Sequence, residues 1–210
     1  MKKKIWDIYA PIYEKAMRGD RKTYGLMYER ILNVIQGKDV LEVATGPGLL
    51  AKHVAYAAKK MIATDYSDGM IREAKKGSYP DNLTFEVADA EHLPYAEDSF
   101  DAVIIANALH IVPNPEKVLW EIDRVLKEDG LLIAPNFVNH KKGAVSAIWS
   151  KIISIAGVKL EHQWSTAEYR AFLEANGWNV VMLEEMPARI TLAYVECMKR
   201  RGVAKTDSHP

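Results

Sequence analysis

Three carboxylates and one glycine-bearing turn carry the chemistry available to this chain. The segment Glu42-Val43-Ala44-Thr45-Gly46-Pro47-Gly48 directly follows the apolar pair Val40-Leu41. Asp65 ends a second apolar run, Met61-Ile62-Ala63-Thr64, and Asp89 follows a third, Phe85-Glu86-Val87-Ala88. Each run reads as a strand, so the three acids stand at the carboxyl ends of three successive strands. Open parallel sheets bind their ligands at such ends. The glycines let the backbone approach a ligand closely, and the helical pattern that follows offers unpaired N–H groups at its start.

Two nucleotide ligands compete for such a crevice. A dinucleotide fingerprint is Gly-x-Gly-x-x-Gly, whose third glycine packs helix on strand, but position 51 is Ala51. Glu42 would also repel a pyrophosphate placed on the turn. The run from Glu42 to Gly48, together with Asp65 and Asp89, resembles instead the S-adenosylmethionine (AdoMet) site of class I methyltransferases. It is most similar to the type 11 small-molecule branch that includes quinone C-methyltransferases. That family's pattern is an acid, any residue, then Gly-x-Gly-x-Gly; here Ala44 replaces the first glycine. Alanine is small enough for the position but is expected to stay out of the φ > 0 region that glycine enters easily. AdoMet is a sulfonium cation without phosphates, so an acid-lined crevice suits it.

The resemblance covers the Rossmann-like core, residues 38–136, and in outline the full chain. It implies that Ala44, Thr45, Gly46 and Gly48 pass close to the methionine part of AdoMet. Asp65, with Tyr66 beside it, would accept from both ribose hydroxyls. Asp89 would take the adenine amino group with Ala90 adjacent. Glu42 would hold the loop or reach the methionine amino group through water, and Asn107 at the end of the fourth strand completes the cofactor set.

The elements that must position these residues alternate along the chain. Residues 23–35 form an amphipathic helix that Gly37 stops. Strands are predicted at 40–44, 61–64, 84–88, 102–107 and 131–135, with helices at 49–58, 68–76 and 115–126 between them. Ser67 and Asn114 are placed as N-caps, with Pro115 at a first helical position. Ser165-Thr166-Ala167-Glu168 is a capping box, opening a helix that ends at Gly177. The closing strands, 179–186 and 190–198, leave no room for a crossover helix and must pair antiparallel. The predicted fold is α/β: a three-layer αβα sandwich on a seven-stranded, mostly parallel sheet with an antiparallel C-terminal hairpin. A single domain is expected over 1–198, with a helical lid at 1–36, an acceptor-side insertion at 137–164 and a flexible tail at 199–210.

On the acceptor side, His110 in Asn107-Ala108-Leu109-His110 is the best candidate for a general base or acceptor-orienting group. Its alternative is a pocket-lining or packing role. Tyr9 and Tyr13 share an aromatic helical face with Trp6, which either packs on the core or, as in similar methyltransferases, closes over AdoMet. We read Tyr9 and Tyr13 as lid residues. Trp149 lies in an apolar helix of the insertion that roofs a hydrophobic pocket or touches a membrane surface; the roof fits better, because no strongly basic face develops. His140 and His162 flank that helix and could face the acceptor, whereas His53 and His92 read as structural. The scattered histidines predict no metal site.

Bulk properties exclude several classes. The chain has 210 residues, with 28 basic and 28 acidic side chains that leave no net field for nucleic acid or an anionic membrane. The motif by which amino-group methylases of nucleic acids hold a planar amine is missing after strand four. A lone cysteine, Cys197, rules out a disulfide framework. Lacking an apolar leader or spanning run, the chain is expected to be cytoplasmic, with no stable membrane insertion and an open oligomeric state. The resemblance implies in-line methyl transfer to a small, apolar or aromatic acceptor; a non-catalytic AdoMet-binding sensor is the second reading.

Overall fold

The computed structural model describes residues 20–138 and 162–200. Tyr9, Tyr13, His140 and Trp149 lie outside these residues.

Hydrophobic periodicity fixes the order of elements. An amphipathic helix α1 (Arg21–Val34) leads into β1 (Asp39–Val43), a short α2 (Leu49–Val54) and β2 (Lys60–Asp65). Then come α3 (Asp68–Ala74), β3 (Leu83–Val87) and β4 (Phe100–Ile105). The remainder is α4 (Pro115–Val125), β5 (Leu126–Ile133), β6 (Asn136–Phe137), α5 (Thr166–Ala175), β7 (Trp178–Met186) and β8 (Leu192–Lys199). The sheet order is β3-β2-β1-β4-β5-β8-β6, with β7 paired to β8. β1 to β5 are parallel, while β8 runs antiparallel to β5, β6 and β7.

Seven of these strands are long. The eighth, β6, is two residues that continue along the same partner as β5: Ile133 faces Glu196 and Asn136 faces Ala193. The break between them is Ala134-Pro135, since proline cannot donate to a ladder.

Side-chain alternation along the strands separates two cores, as period-2 geometry requires. Leu41, Val43, Val103 and Ile105 face one way and pack with Val118, Ile122 and Val125 of α4 and Tyr169 and Leu173 of α5. Val40, Met61, Ala63, Ala102 and Ile104 face the other way and meet Met27 and Ile31 of α1, Ala51 and Val54 of α2, and Ile71 of α3. Helices on both faces of a central parallel sheet explain why β4 reads as an unbroken apolar run.

Caps behave as expected except at one helix. Ser67 accepts from the Met70 amide, and Ser165 with Glu168 forms a reciprocal capping box. Asn114 occupies the N-cap position of α4, but its side chain makes no cap bond and donates instead to Glu91 at 3.0 Å. β5 also starts earlier than its sequence suggests. It pairs with β4 first at Leu126 and resumes at Leu131 after a register shift. A Cβ on Gly130 would sit 2.6 Å from the Leu126 side chain, so glycine is what that irregularity needs.

Among the described residues no helix is long and apolar enough to cross a membrane. Cys197 is buried in β8, and burial pushes its thiol up to about 12.

Candidate functional site

A cavity of about 850 Å³ opens at the carboxyl ends of β1 to β4, within the range of small-molecule sites. It is lined by Glu42, Ala44, Thr45 and Gly46 after β1, Asp65 and Tyr66 after β2, and Asp89 and Ala90 after β3. Asn107 after β4 completes the sequence-predicted residues that reach it. Gly48 does not line it.

The turn after β1 is built from left-handed backbone. Gly46 has φ 58° and Gly48 φ 75°, and Ala44, contrary to expectation, also has φ 58°. The turn retains the conformation that the missing glycine would favour, at a cost of roughly 1–2 kcal/mol for alanine. Nothing lies within 4 Å of a Cβ built on Gly46, so that residue presents bare backbone to open space. Gly48 has the opposite job: its Cβ would fall 2.7 Å from the Phe85 ring of β3. It lets α2 pack on the sheet, the role that a third glycine plays in dinucleotide folds.

The acids differ in state. Glu42 is 2% exposed and receives a 2.7 Å hydrogen bond from the Thr45 hydroxyl. Burial, reinforced by the charge of Asp65, pushes its carboxyl up to about 7 against the opposing effect of that bond. Asp65 braces the turn: Oδ2 accepts from the Gly46 amide and Oδ1 from the Ser67 amide, each at 2.8 Å. An ionised carboxylate has about four lone-pair sites, more than these two bonds occupy. Asp89 is exposed, with Oδ1 accepting from the Glu91 amide at 3.0 Å.

Asn107 follows β4 with φ 53°, a conformation asparagine tolerates better than most residues. Its Oδ1 is buried without a hydrogen-bond partner, and its Nδ2 lies 3.5 Å from the Tyr24 hydroxyl. Of the described non-glycine residues with positive φ, Ala44 and Asn107 line the cavity and Asp98 does not. Strain of this kind gathers where a site holds its backbone in place.

Five residues of α1 that were not read from the sequence as site residues line the cavity: the buried Met27 and, with it, Arg21, Tyr24, Gly25 and Tyr28. The spacing of the last four puts them on one helical face, which is the signal that would have exposed them. His53, read as structural, also lines the cavity and packs against Tyr28 with ring centroids 4.6 Å apart.

His110 points elsewhere. It is 8% exposed and is not part of the cavity lining, although Ala108 and Ile111 on either side are. Its Nδ1 lies 2.7 Å from Oδ1 of Asn136, whose amide nitrogen donates to the Phe137 carbonyl. That arrangement makes Nδ1–H the donor and leaves Nε2 bare. Burial pulls the imidazole down to about 4, with Asn136 opposing. The His162 amide donates to the His110 carbonyl at 3.1 Å, and the His162 ring stacks on Trp164 with centroids 5.2 Å apart. Among the described residues no three His, Cys, Asp or Glu side chains converge as a metal site.

The residues present suit AdoMet. Glu42, Asp65, Asp89 and Glu91 offer a cation four carboxylates, and Gly46 leaves room for close approach.

Comparison with known proteins agrees with that chemistry. Residues 41–134 match the family model described as a methyltransferase domain. The fold is that of the class I, Rossmann-like methyltransferases, and the chain is similar to the quinone C-methyltransferases. The demethylmenaquinone methyltransferase of Renibacterium salmoninarum is 31% identical over 153 residues, covering 71% of this chain and 64% of that protein. The ubiquinone/menaquinone biosynthesis C-methyltransferase UbiE of Rickettsia massiliae is 36% identical over 116 residues, 50% of this chain and 47% of its own. The chain thus spans about half to two thirds of the length of these relatives. Among solved structures, a chain of the complex between the Haloferax volcanii Trm112 methyltransferase activator and a methyltransferase superposes with a TM-score of 0.81. It is 22% identical and covers 97% of this chain and all of its own. The DhpI–SAH complex gives 0.75 at 22% identity, covering 96% of each chain. At these identities the structural likeness speaks for the fold.

Proposed function

We propose that this chain transfers the methyl group of AdoMet to a small, apolar or aromatic acceptor, of the quinone type that its curated relatives are named for. The single observation that carries the reading is the set of carboxylates at the ends of β1, β2 and β3 around bare backbone at Gly46. Asp65 would take the ribose hydroxyls while continuing to brace Gly46 and Ser67. Asp89 and Ala90 would border the adenine, and Glu42 would answer the positive charge from beneath the turn.

When bound, AdoMet supplies an activated methyl on a sulfonium leaving group, so the protein's part is to place an acceptor in line and keep water out. Tyr24 and Tyr28 of α1 and the loop Ile111-Val112-Pro113 wall the cavity with apolar and aromatic surface that fits a ring. We read Tyr9, Tyr13 and Trp149, outside the described residues, as extending this cover on the acceptor side. His110, behind the lining residues Ala108 and Ile111, would act only by holding that loop and not as a strong base: a buried imidazole near 4 is neutral at pH 7 and weakly basic. Such a site favours acceptors that arrive already deprotonated or that need little base catalysis.

The test is transfer of labelled methyl from AdoMet to a reduced demethylnaphthoquinone, run beside thiols, amines and phenols. Methylation of the hydroquinone above the others is expected. Silence across the panel, with tight AdoMet binding, would replace the enzyme by a binding module.

A further inference from the structure

Helix α4 carries a second stripe beside the apolar one that enters the core, and it is polar. Asn114, Lys117, Glu121 and Arg124 recur at i, i+3, i+7 and i+10, a spacing that sets them along one side of α4 and its N-cap. All four bond to the irregular loop that follows β3. Asn114 donates to the Glu91 carboxylate at 3.0 Å, and the Lys117 ammonium donates to His92 Nε2 at 2.8 Å. Glu121 accepts from the Leu93 amide at 2.7 Å. Arg124 donates to the Leu93 and Tyr95 carbonyls at 2.8 and 2.7 Å, and to the Glu121 carboxylate at 2.8 Å.

Leu93 lies outside the strands, yet side chains of one helix satisfy both its amide and its carbonyl, as a neighbouring strand would. Glu121 is 5% exposed. A buried ion pair adds little to stability, because desolvation offsets its attraction. What this pair does supply is a fixed path for the backbone at Leu93 and Tyr95. From there the constraint passes to the cavity. The His92 amide donates to the Asp89 carbonyl at 3.0 Å in an isolated antiparallel bridge, and the Glu91 amide donates to Asp89 Oδ1 at the same distance. A neutral His92 ring that accepts from Lys117 at Nε2 carries its proton on Nδ1, 3.8 Å from Asp89 Oδ2. Asp89, Ala90 and Glu91 line the cavity, whereas Lys117, Glu121 and Arg124 do not. These three therefore act on the cavity only through the loop.

We infer that Lys117, Glu121 and Arg124 are positioning residues that hold Asp89 where it distinguishes a purine amino group from a carbonyl, which makes α4 a determinant of base selectivity. The inference rests on the AdoMet reading above. An exposed carboxylate on a loop free to shift would accommodate either base. One held in place accepts from the amino donor and repels a carbonyl oxygen at the same position.

Calorimetric titration of the full chain with S-adenosylhomocysteine and S-inosylhomocysteine tests this, since the second carries a carbonyl where the first has its amino group. The parent should prefer S-adenosylhomocysteine about tenfold, the scale of one charge-assisted bond at an exposed carboxylate. Arg124→Lys keeps a cation beside Glu121 but cannot span the Leu93 and Tyr95 carbonyls with a planar fork. It should cut the preference to about threefold or less, by weakening S-adenosylhomocysteine while S-inosylhomocysteine changes little. Lys117→Met, at an exposed position, should narrow the preference about twofold, and it decides the matter if Arg124→Lys does not fold. Equal losses for the two ligands, or an unchanged preference, in a folded variant would overturn the inference and leave the stripe a structural clamp. A parent that binds both ligands equally would overturn it too, with the AdoMet reading left standing. Binding of neither ligand by the parent would sink the AdoMet reading, and the inference with it.

Discussion

Replacing Glu42 with glutamine should make the ligand-free chain more stable above neutral pH and poorer at holding a cation. Glutamine preserves the shape and can accept the same 2.7 Å hydrogen bond from Thr45, so the substitution removes little except charge. Burial raises the Glu42 carboxyl from 4.5 to about 7 in the folded chain. The folded state then holds its proton more firmly than the unfolded state does. The contribution of Glu42 to stability is greatest below pH 4.5 and is lost as pH rises through 7. The full loss is about 3 kcal/mol, because each tenfold change in proton affinity is worth about 1.4 kcal/mol. Glutamine does not titrate, so variant and parent should differ by about 1 kcal/mol at pH 5 and about 3 kcal/mol at pH 8. For a chain of this size that is roughly 6–12 °C in the thermal midpoint at pH 8. Urea unfolding at the two pH values, without ligand, reads the difference directly. Equal pH dependence in the two proteins, or a variant less stable at pH 8, would refute the claim that Glu42 is buried at an electrostatic loss. A companion titration should show AdoMet losing more affinity than its uncharged thioether product in the variant, because the sulfonium charge is what ionised Glu42 answers.

Three further substitutions follow from the geometry. Ala44→Gly should raise stability by about 0.5–1 kcal/mol, the relief of a left-handed alanine less the added chain entropy of glycine, measured by urea midpoint. Gly48→Ala should cost about 2–4 kcal/mol, since its Cβ meets Phe85 at 2.7 Å in a backbone of φ 75°, and thermal melts should show it at once. His110→Gln should flatten the acid limb of stability, read by urea unfolding between pH 4 and pH 7. The imidazole is held down at about 4 against 6.5, so its contribution is complete above pH 6.5 and is lost toward pH 4, by about 3 kcal/mol in all.

Much of the frame was legible because its signals are local. Strand ends at Glu42, Asp65 and Asp89 follow from short apolar runs bounded by polar turns, and the shortness of the 186–192 connection forced β7 and β8 into an antiparallel pair. The capping box at Ser165 was visible as a four-residue pattern. Failures came where a distant partner decides. Asn114 looked like a cap, yet Glu91 from another loop takes its amide. Ala44 looked excluded from φ > 0, yet the turn and the Thr45-to-Thr64 backbone bond hold it there. Gly48 looked like a ligand-facing glycine, and only the position of Phe85 shows that it serves packing. His110 was plausible as a base by residue type alone; the direction of its ring depends on Asn136, 26 residues away. The face of α1 carrying Arg21, Tyr24 and Tyr28 could have been extracted from its spacing, but which way that face points is a tertiary fact.

The central claim is that Asp65 and its companion acids bind AdoMet rather than a dinucleotide. Calorimetric titration with AdoMet, S-adenosylhomocysteine and NADH, on the parent chain and on Asp65→Ala, tests it most directly. Binding of the first two is expected, with a loss of at least about tenfold in the variant and no heat from NADH. Binding of NADH alone would contradict it.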